Sequence, residues 1–259
     1  MVMDAGRLAE LAEREAVDLV EIFASVQGEG PHMGEFHVFL RFAHCDIHCA
    51  YCDTPACHAV PAAVSMADAP EGVPLENPVA ARNLDLLLDA ALRAPGTRAL
   101  SITGGEPLLQ PWGVTRAARA ARRAGVPALL ETDANLPDAL KVVIEDIDIL
   151  SLDWKLPSAT GEPATYDAHR RCLELSAGRE CYVKAVFTGE TPVEEVLLAA
   201  RAVAELRPEA LLVLQPCTPF GRVREGPPAH HVSRLLREVS RVHANVRVLP
   251  QMHKMIGLP

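Results

Sequence analysis

The sequence lacks an apolar run long enough to cross a bilayer, which takes about 20 residues in a helix. It also lacks an apolar signal core near its start, because residues 1–21 carry Asp4, Glu10, Glu13 and Glu15. Basic residues are outnumbered, with 25 Lys and Arg against 34 Asp and Glu and a formal net charge of -9. Nucleic-acid affinity rests mainly on Lys and Arg. We therefore expect no export signal, no membrane contact and no nucleic-acid partner.

No internal repeat and no low-complexity linker interrupts the 259 residues. Hydrophobic residues make up 49% and charged residues 23%, as in ordinary globular proteins. A chain of this length can bury a large core as one domain. We therefore expect residues 1–259 to form a single domain. The Ala- and Pro-rich stretch around residues 56–77 is predicted to be an irregular insertion.

Short apolar runs alternate with amphipathic helical patterns along the chain. Continuous apolar runs are typical of parallel strands that are buried on both faces. The predicted strands are Leu19–Ala24, His37–Phe42, Ala99–Thr103, Ala128–Glu131, Ile147–Asp153, Tyr182–Phe187, Leu211–Gln215 and Val246–Leu249. The alternation indicates an α/β fold with a parallel sheet. About six such units favour a partial, open barrel over a closed eight-fold one.

Three helices are predicted from apolar residues that share one helical face. These faces are Leu84, Leu87, Leu88 and Ala91; Val193, Val196, Leu197 and Ala200; and Val232, Leu235, Leu236 and Val239. The first pattern begins near Pro78 and the second at Pro192, where the fixed φ of proline suits a helix start. Sites in such folds lie at the carboxyl ends of the strands.

Seven cysteines are an odd number in a chain without a predicted export signal. In a reducing compartment, clustered thiols usually bind metal or take part in chemistry. This composition favours a cytoplasmic protein.

Three of the cysteines fall within a single predicted loop. Cys45, Cys49 and Cys52 have x3 and x2 spacing and follow a predicted strand. A 4Fe–4S cluster takes four ligands, so three thiolates leave one iron open. A structural zinc site usually needs a second cysteine or histidine pair, and Cys172, Cys181 and Cys217 do not supply one. Three buried core cysteines are the other alternative, and Cys57 is a candidate spare thiol.

The cysteine loop resembles that of the radical S-adenosylmethionine (SAM) superfamily, which often has an aromatic residue before the last cysteine, here Tyr51. The same superfamily has a Gly-Gly-Glu-Pro strand end, present here as Thr103-Gly-Gly-Glu-Pro107. Glycine lets the backbone approach a ligand closely. The resemblance implies a radical-SAM-type (β/α)6 open barrel, with the SAM amino group at Gly105.

A narrower resemblance covers most of the chain. The segments Glu21–Gly30, Phe39–Arg41, Cys52–Thr54, Asp153–Ser158, Gln215–Pro216 and Gln251–Pro259 are similar to those of the 7-carboxy-7-deazaguanine synthase family. The resemblance implies a radical SAM lyase of queuosine and 7-deazapurine biosynthesis. Such an enzyme converts 6-carboxy-5,6,7,8-tetrahydropterin to 7-carboxy-7-deazaguanine with loss of ammonia. It also implies a 4Fe–4S cluster, SAM, a magnesium ion, a homodimer and an external electron donor such as flavodoxin.

In that chemistry a cluster electron cleaves SAM, and the resulting radical takes a hydrogen from the pterin. The protein positions the cofactors, and the sequence contains no recognisable acid–base triad. The resemblance implies that the substrate contacts Val26, Gln27, Gly28, Arg41, Thr103 and Pro259. It implies SAM contacts at Tyr51, Cys52, Asp53, Gly105, Asp153, Trp154, Lys155, Gln215, Pro216, Cys217 and Thr218, with magnesium at Thr54.

Arg41 has the planar guanidinium that binds a carboxylate with two parallel hydrogen bonds, and the chain ends with the α-carboxylate of Pro259, which ring donors can meet. Each assignment has a structural alternative. Arg41 can be an ion-pair partner, Gln27-Gly-Glu-Gly a polar turn, Thr54 a cap before Pro55, and Pro259 a frayed terminus.

Two positions depart from the family pattern. His44 stands before the first cluster cysteine, where many relatives have Gly, and Glu131-Thr-Asp-Ala stands where relatives often have Glu-Thr-Asn-Gly or Glu-Thr-Ser-Gly. Two other functions share part of the pattern. A glycyl-radical activating enzyme has the same cysteine spacing and strand end, and a non-catalytic module would hold metal alone.

Overall fold

The computed structural model describes residues 5–258. The strands are β1 (Ala16–Val17), β2 (Leu19–Val26), β3 (Phe36–Phe42), β4 (Val79–Ala80), β5 (Ala99–Gly104), β6 (Ala128–Thr132), β7 (Ile149–Asp153), β8 (Glu180–Phe187), β9 (Leu211–Pro216) and β10 (Val246–Val248). The helices are α1 (Ala5–Glu13), α2 (Ala81–Ala91), α3 (Pro111–Ala124), α4 (Pro137–Val143), α5 (Pro157–Thr160), α6 (Tyr166–Leu175), α7 (Val193–Leu206), α8 (Ala229–Ser240) and α9 (Met252–Ile256). Within these residues, no helix has both the length and the apolar character to span a bilayer.

Eight strands form one sheet in the order β10-β9-β8-β7-β6-β5-β3-β2. The seven strands from β3 to β10 in this sheet are parallel, as predicted, but β2 pairs antiparallel with β3. The predicted parallel sheet is therefore confirmed for these seven strands, and β2 adds an antiparallel strand at one edge. Residues 27–35, which join the two strands, are too few for a crossover helix, so the chain turns back as a hairpin.

Each of the six crossovers between parallel neighbours contains a helix, namely α2, α3, α4, α6, α7 or α8. The sheet is not closed, because in the described part of the chain β10 and β2 do not pair with each other. The predicted open α/β barrel with six strand–helix units is confirmed.

The larger hydrophobic cluster joins the sheet to its helices. It contains alternate residues of the strands, such as Leu100, Ile102, Leu150 and Leu212, packed against the apolar faces of the helices. A smaller cluster on the opposite face of the sheet consists of Leu129, Ile149, Tyr182, Leu211 and Val213. The two clusters follow the alternation of side chains along each strand. They fix which side chains point into the barrel.

Residues 56–77 lie along the outer edge of β2. The backbone N–H of Ile22 donates to the carbonyl of Ser65 at 2.9 Å, and the N–H of Ser65 donates to that of Val20 at 3.0 Å. The Asn77 side chain donates to the carbonyl of Leu19 and accepts from its N–H, at 2.7 and 3.0 Å. These contacts cover a sheet edge that would otherwise present unpaired backbone groups.

Candidate active site

One cavity lies at the carboxyl ends of the parallel strands. Its walls come from residues at or after the ends of β2, β3, β5, β6, β7, β8 and β9, from the cysteine loop, and from the segment that contains α9. Strand carboxyl ends are where open α/β folds bind ligands. This cavity is therefore the candidate active site.

The cysteine loop forms one wall of the cavity. Cys45, Cys49 and Cys52 all line it and are half-buried free thiols. The loop is held by backbone hydrogen bonds from Ala50 to the Thr160 carbonyl and from His44 to the Cys57 carbonyl, both at 2.7 Å. Burial raises the pKa of all three thiols, so metal binding must displace their protons.

Gly105 fits against this loop because it has no side chain. A Cβ at this position would lie 2.0 Å from the His44 carbonyl oxygen and 2.8 Å from Cys45 Cβ. Three thiols on one loop, facing a cavity beside a backbone without a Cβ, suit an iron–sulfur cluster with one open iron. Cys57 is 1% exposed and also lines the cavity, so it is a fourth thiol near the same place.

Both departures from the family pattern involve left-handed backbone. His44 has φ of 74° and Ala134 has φ of 59°, in a region that glycine adopts easily and L-residues rarely do. The His44 ring is held by the buried Asp18 carboxylate, with Nε2 3.0 Å from Oδ2. This contact holds the His44 side chain while its backbone keeps a conformation that glycine adopts more easily.

Glu106 joins the Gly-Gly-Glu-Pro strand end to the end of β6. Its carboxylate accepts hydrogen bonds from the backbone N–H of Leu108 and Asp133, at 2.8 and 2.7 Å, and from the Thr132 hydroxyl at 2.9 Å. Glu106 is fully buried, so these bonds replace water. The motif therefore supports two cavity walls.

Most residues predicted to contact SAM line the same cavity. They are Tyr51, Cys52, Asp53, Gly105, Asp153, Lys155, Gln215, Cys217 and Thr218. Lys155 Nζ lies 2.8 Å from an Asp153 oxygen. Although burial opposes its charge, Asp153 raises the pKa of Lys155 well above its usual value. Gln215 is 3% exposed, and its Oε1 accepts no hydrogen bond from residues 5–258, which leaves a buried acceptor for a ligand.

Trp154 and Pro216, which were also predicted to contact SAM, do not line the cavity. Trp154 is 3% exposed and stacks between Tyr166 and His169, with ring centroids 5.8 and 5.0 Å apart. Its side chain is part of the core behind β7, because residues alternate faces along a strand and Asp153 already faces the cavity.

Five residues predicted to contact the substrate also line the cavity, and we call this part of the lining the substrate wall. Val26, Gln27, Gly28, Arg41 and Thr103 all line the cavity. Gln27 donates to Glu131 Oε1 at 2.9 Å, and the Thr103 hydroxyl donates to Glu131 Oε2 at 3.1 Å.

The position of Arg41 is compatible with both interpretations of this residue, as a ligand of the substrate carboxylate and as an ion-pair partner. Its Nε donates to Glu21 at 2.7 Å, and its guanidinium lies 5.8 Å from the centre of the Phe23 ring. It therefore has an ion-pair partner and faces the cavity as well.

The segment around α9 closes the mouth of the cavity. The Met252 N–H donates to the Gly28 carbonyl at 2.9 Å, and the Gln251 amide donates to Glu29 and Asp53 at 2.8 and 3.2 Å. Lys254 Nζ lies 3.3 Å from the same Asp53 carboxylate. Thr54, the predicted magnesium ligand, lines the cavity and donates to Asp53 at 3.1 Å. Pro259 lies outside the described residues.

Lys184 and Glu29 line the cavity but were not predicted from the sequence as site residues. Lys184 forms ion pairs with Glu29 and, at 3.2 Å, with Asp153. Burial opposes its charge, but these carboxylates raise its pKa well above the usual value. A lone lysine inside the apolar run Tyr182–Phe187 was the available signal, because a charge on a buried strand needs a partner.

No family model matches the chain. The 7-carboxy-7-deazaguanine synthase of Geobacter sulfurreducens is 36% identical over 251 residues, which cover 94% of this chain and 98% of the relative.

Two solved structures share the fold. QueE from Escherichia coli has a TM-score of 0.58 and 17% identity, covering 96% of this chain and 100% of QueE. Streptococcus suis SuiB, solved with S-adenosylmethionine bound, has a TM-score of 0.55 and 16% identity, covering 82% of this chain and 51% of SuiB. The identity to the Geobacter protein, sustained over nearly the whole of both chains, shows that this chain belongs to the 7-carboxy-7-deazaguanine synthase family.

Proposed function

We propose that the chain is a radical SAM lyase that converts 6-carboxy-5,6,7,8-tetrahydropterin to 7-carboxy-7-deazaguanine with loss of ammonia, in queuosine and related 7-deazapurine biosynthesis. One observation carries the proposal. A single cavity is lined both by Cys45, Cys49 and Cys52 and by the pterin-directed residues Gln27 and Arg41. Family membership favours this reaction over a glycyl-radical activating enzyme or a non-catalytic metal module.

The thiolates of Cys45, Cys49 and Cys52 would hold a 4Fe–4S cluster, which supplies the electron for cleavage of SAM. The chain's own residues bind and orient the cofactor. Lys155 is a half-buried cation suited to the methionine carboxylate. Gln215 Oε1 is a free acceptor suited to the adenine amino group. Gly105 lines the cavity beside the cysteine loop, and we propose that its backbone binds the SAM amino group.

For the substrate, we propose that the Arg41 guanidinium binds the carboxylate, while Val26, Gln27, Gly28 and Thr103 bind the ring. Arg41 is half-buried next to Phe23, where a charge-assisted hydrogen bond is stronger than it would be in open water. Thr54 would hold magnesium through its hydroxyl, with substrate oxygens and water as the other ligands. Pro259 is proposed as a further contact of the pterin ring.

A homodimer, an external electron donor such as flavodoxin, and a cytoplasmic location are part of the same proposal. The seven cysteines are all free thiols, which suits a reducing compartment. The dimer and the donor rest on the family resemblance alone.

The test is an anaerobic assay of the reconstituted protein with SAM, reductant, magnesium and the carboxy-tetrahydropterin. We expect 7-carboxy-7-deazaguanine to form without any added protein. The Cys49→Ala variant should be inactive, whereas Cys181→Ala, which alters a buried thiol of β8, should keep activity. A wild-type protein that binds a cluster and cleaves SAM but leaves the pterin unchanged would refute the proposal. A protein that binds zinc and stays colourless after reconstitution with iron and sulfide would refute the proposal that the three cysteines hold an iron–sulfur cluster.

A further inference from the structure

Behind the substrate wall, the barrel interior contains two fully buried polar side chains that the reaction does not use. His37 of β3 and Ser101 of β5 are both 0% exposed. His37 Nδ1 lies 2.8 Å from Ser101 Oγ, and His37 Nε2 lies 3.2 Å from a Glu35 carboxylate oxygen. Ser101 Oγ in turn lies 3.3 Å from Gln27 Nε2. A continuous chain of hydrogen bonds therefore leads from Glu35 to the cavity wall.

The direction of each bond in this chain follows from chemistry. The Glu29 N–H can only donate, so the oxygen of the Gln27 amide must face it, at 3.1 Å. The Gln27 NH2 group then donates to Glu131 and to Ser101. Ser101 Oγ accepts that bond and keeps one proton, so the His37 tautomer decides whether it donates to Nδ1.

The Glu35 carboxylate can only accept, so the ring proton of a neutral His37 lies on Nε2. Nδ1 is then the bare nitrogen and accepts from the Ser101 hydroxyl. Burial lowers the pKa of His37, although Glu35 opposes the shift, so the ring stays neutral. The charged or titratable groups that act on the ring are Glu35, at Nε2, and His32, whose ring centroid is 6.3 Å away.

We propose that Ser101 and His37 are positioning residues that fix the orientation of the Gln27 amide, and through it the Glu131 carboxylate, on the substrate wall. A flipped amide would set its NH2 group against the Glu29 N–H and lose the bond to Glu131. With the amide fixed, Gln27 and Glu131 present acceptors to the cavity, namely Gln27 Oε1 and the Glu131 oxygens. Such a wall suits a ligand edge that carries N–H donors.

This inference rests on the proposed function for the identity of the ligand, but the hydrogen-bond chain itself does not. A double-mutant cycle on the reconstituted holoenzyme tests the link to substrate. Ser101→Ala should weaken pterin binding by about fivefold, the value of one hydrogen bond. In a Gln27→Ala background, the same change should have no further effect. SAM affinity and cluster content should stay at wild-type values in all four proteins.

Two variants of His37 separate positioning from packing. His37→Asn keeps an acceptor close to Ser101 and should retain pterin affinity within about twofold, whereas His37→Leu should lose as much as Ser101→Ala. Equal losses from Ser101→Ala in both Gln27 backgrounds would overturn the proposal, as would unchanged affinity in Ser101→Ala.

A direct measurement covers the case in which a variant does not fold or the pterin is not the ligand. Nitrogen-15 NMR of the histidine rings reports the tautomer, with the His37 signal assigned by its loss in His37→Asn. We expect protonated Nε2 and bare Nδ1 in the wild-type holoenzyme at neutral pH. An Nδ1-protonated ring or an imidazolium would overturn the positioning chain, even if the pterin reaction proceeds. The expected tautomer without pterin turnover would leave the chain in place and refute the proposed function.

Discussion

At the scale of single residues, the thiols around the cavity are chemically alike and differ in position. Cys49 lies in the x3/x2 loop, whereas Cys57 lies in the short helical turn Pro55–His58. We predict that Cys49→Ala loses the cluster and all SAM cleavage, while Cys57→Ala keeps both. Iron content and absorbance after anaerobic reconstitution measure this. If Cys57→Ala loses iron as severely as Cys49→Ala, the assignment of three ligands is wrong.

Substitution of Arg41 tests whether the substrate wall needs a planar guanidinium. Lysine keeps the charge but cannot form two parallel hydrogen bonds with a carboxylate. We predict that Arg41→Lys raises the pterin KM by at least about tenfold, near the value of one charge-assisted hydrogen bond. SAM cleavage without pterin should not change. Arg170→Lys, which alters an exposed ion pair with Glu205, is the matched control. A normal KM in Arg41→Lys would reduce Arg41 to the ion-pair partner of Glu21.

Thr54 tests the magnesium site. We predict that Thr54→Ala weakens the stimulation of turnover by magnesium, because the variant loses a hard oxygen donor, while cluster content stays constant. Thr54→Ser keeps the hydroxyl and should respond like the wild type. The measurement is the magnesium concentration that gives half-maximal activity. An identical value for Thr54→Ala would remove this side chain from the metal site.

Single site residues were predictable from the sequence where they belong to a local motif. They were not predictable where their role depends on a partner residue on another strand. The cysteines and Gly105 stand in local patterns. Lys184 acquires its role from strand register, which sets it beside Asp153 across β7 and β8. Trp154 shows the reverse case, because motif resemblance alone does not say which face of a strand a side chain occupies.

At the scale of elements, α9 depends on the absence of a side chain at Gly28. A Cβ there would lie 1.9 Å from Nδ1 and 2.7 Å from Cβ of His253, so the start of α9 would have to move. We predict that Gly28→Ala raises the pterin KM by about tenfold or more, by displacing α9 from Glu29 and Asp53. In Gly226→Ala, the new Cβ meets only the Cys217 carbonyl at 3.5 Å, so kinetics should stay normal.

Thermal unfolding of both glycine variants separates a displaced helix from a misfolded protein. A Gly28→Ala enzyme with wild-type KM would show that α9 is not part of the substrate wall.

Elements were predictable in proportion to the length of their pattern. All eight longer strands were predicted, and α2, α7 and α8 lie where their apolar faces indicated. The two-residue strands β1 and β4 are too short to show any alternation, and they exist because the chain brings them together. The antiparallel course of β2 was also hidden, because strand direction depends on the connection and not on the apolar run itself.

At the scale of the whole molecule, His169 couples stability to pH. It is 2% exposed, and its Nε2 lies 3.1 Å from the Asp133 carbonyl. Burial lowers the pKa of His169 to about 4, while the Asp133 carbonyl opposes the shift. An unfolded histidine titrates near 6.5. Between these values the unfolded chain takes up a proton that the folded chain does not, so acid favours unfolding.

We predict that this contribution to the free energy of unfolding is complete above pH 6.5 and falls by about 1.4 kcal/mol per pH unit down to about pH 4. Urea unfolding at pH 7.5 and 5.5 should therefore give a smaller pH dependence for His169→Gln than for the wild type, by roughly 1.4 kcal/mol. His230→Gln, at an exposed position of α8, should behave like the wild type. Parallel curves for His169→Gln and wild type would contradict the prediction.

β2 and β10, the two end strands of the sheet, do not pair, and contacts between the loops that follow them join the barrel on this side. The bridge consists of the Met252 N–H on Gly28 and the Gln251 amide on Glu29, between residues that follow β10 and β2. Breaking it costs roughly 1 to 3 kcal/mol for each hydrogen bond, whereas parting two neighbouring strands breaks a whole ladder. We therefore expect the barrel to open between β2 and β10 before the sheet itself unfolds. A ligand that contacts both the residues after β2 and those after β10 would hold these two edges together. We therefore expect each molecule bound in the cavity to make the whole barrel more rigid.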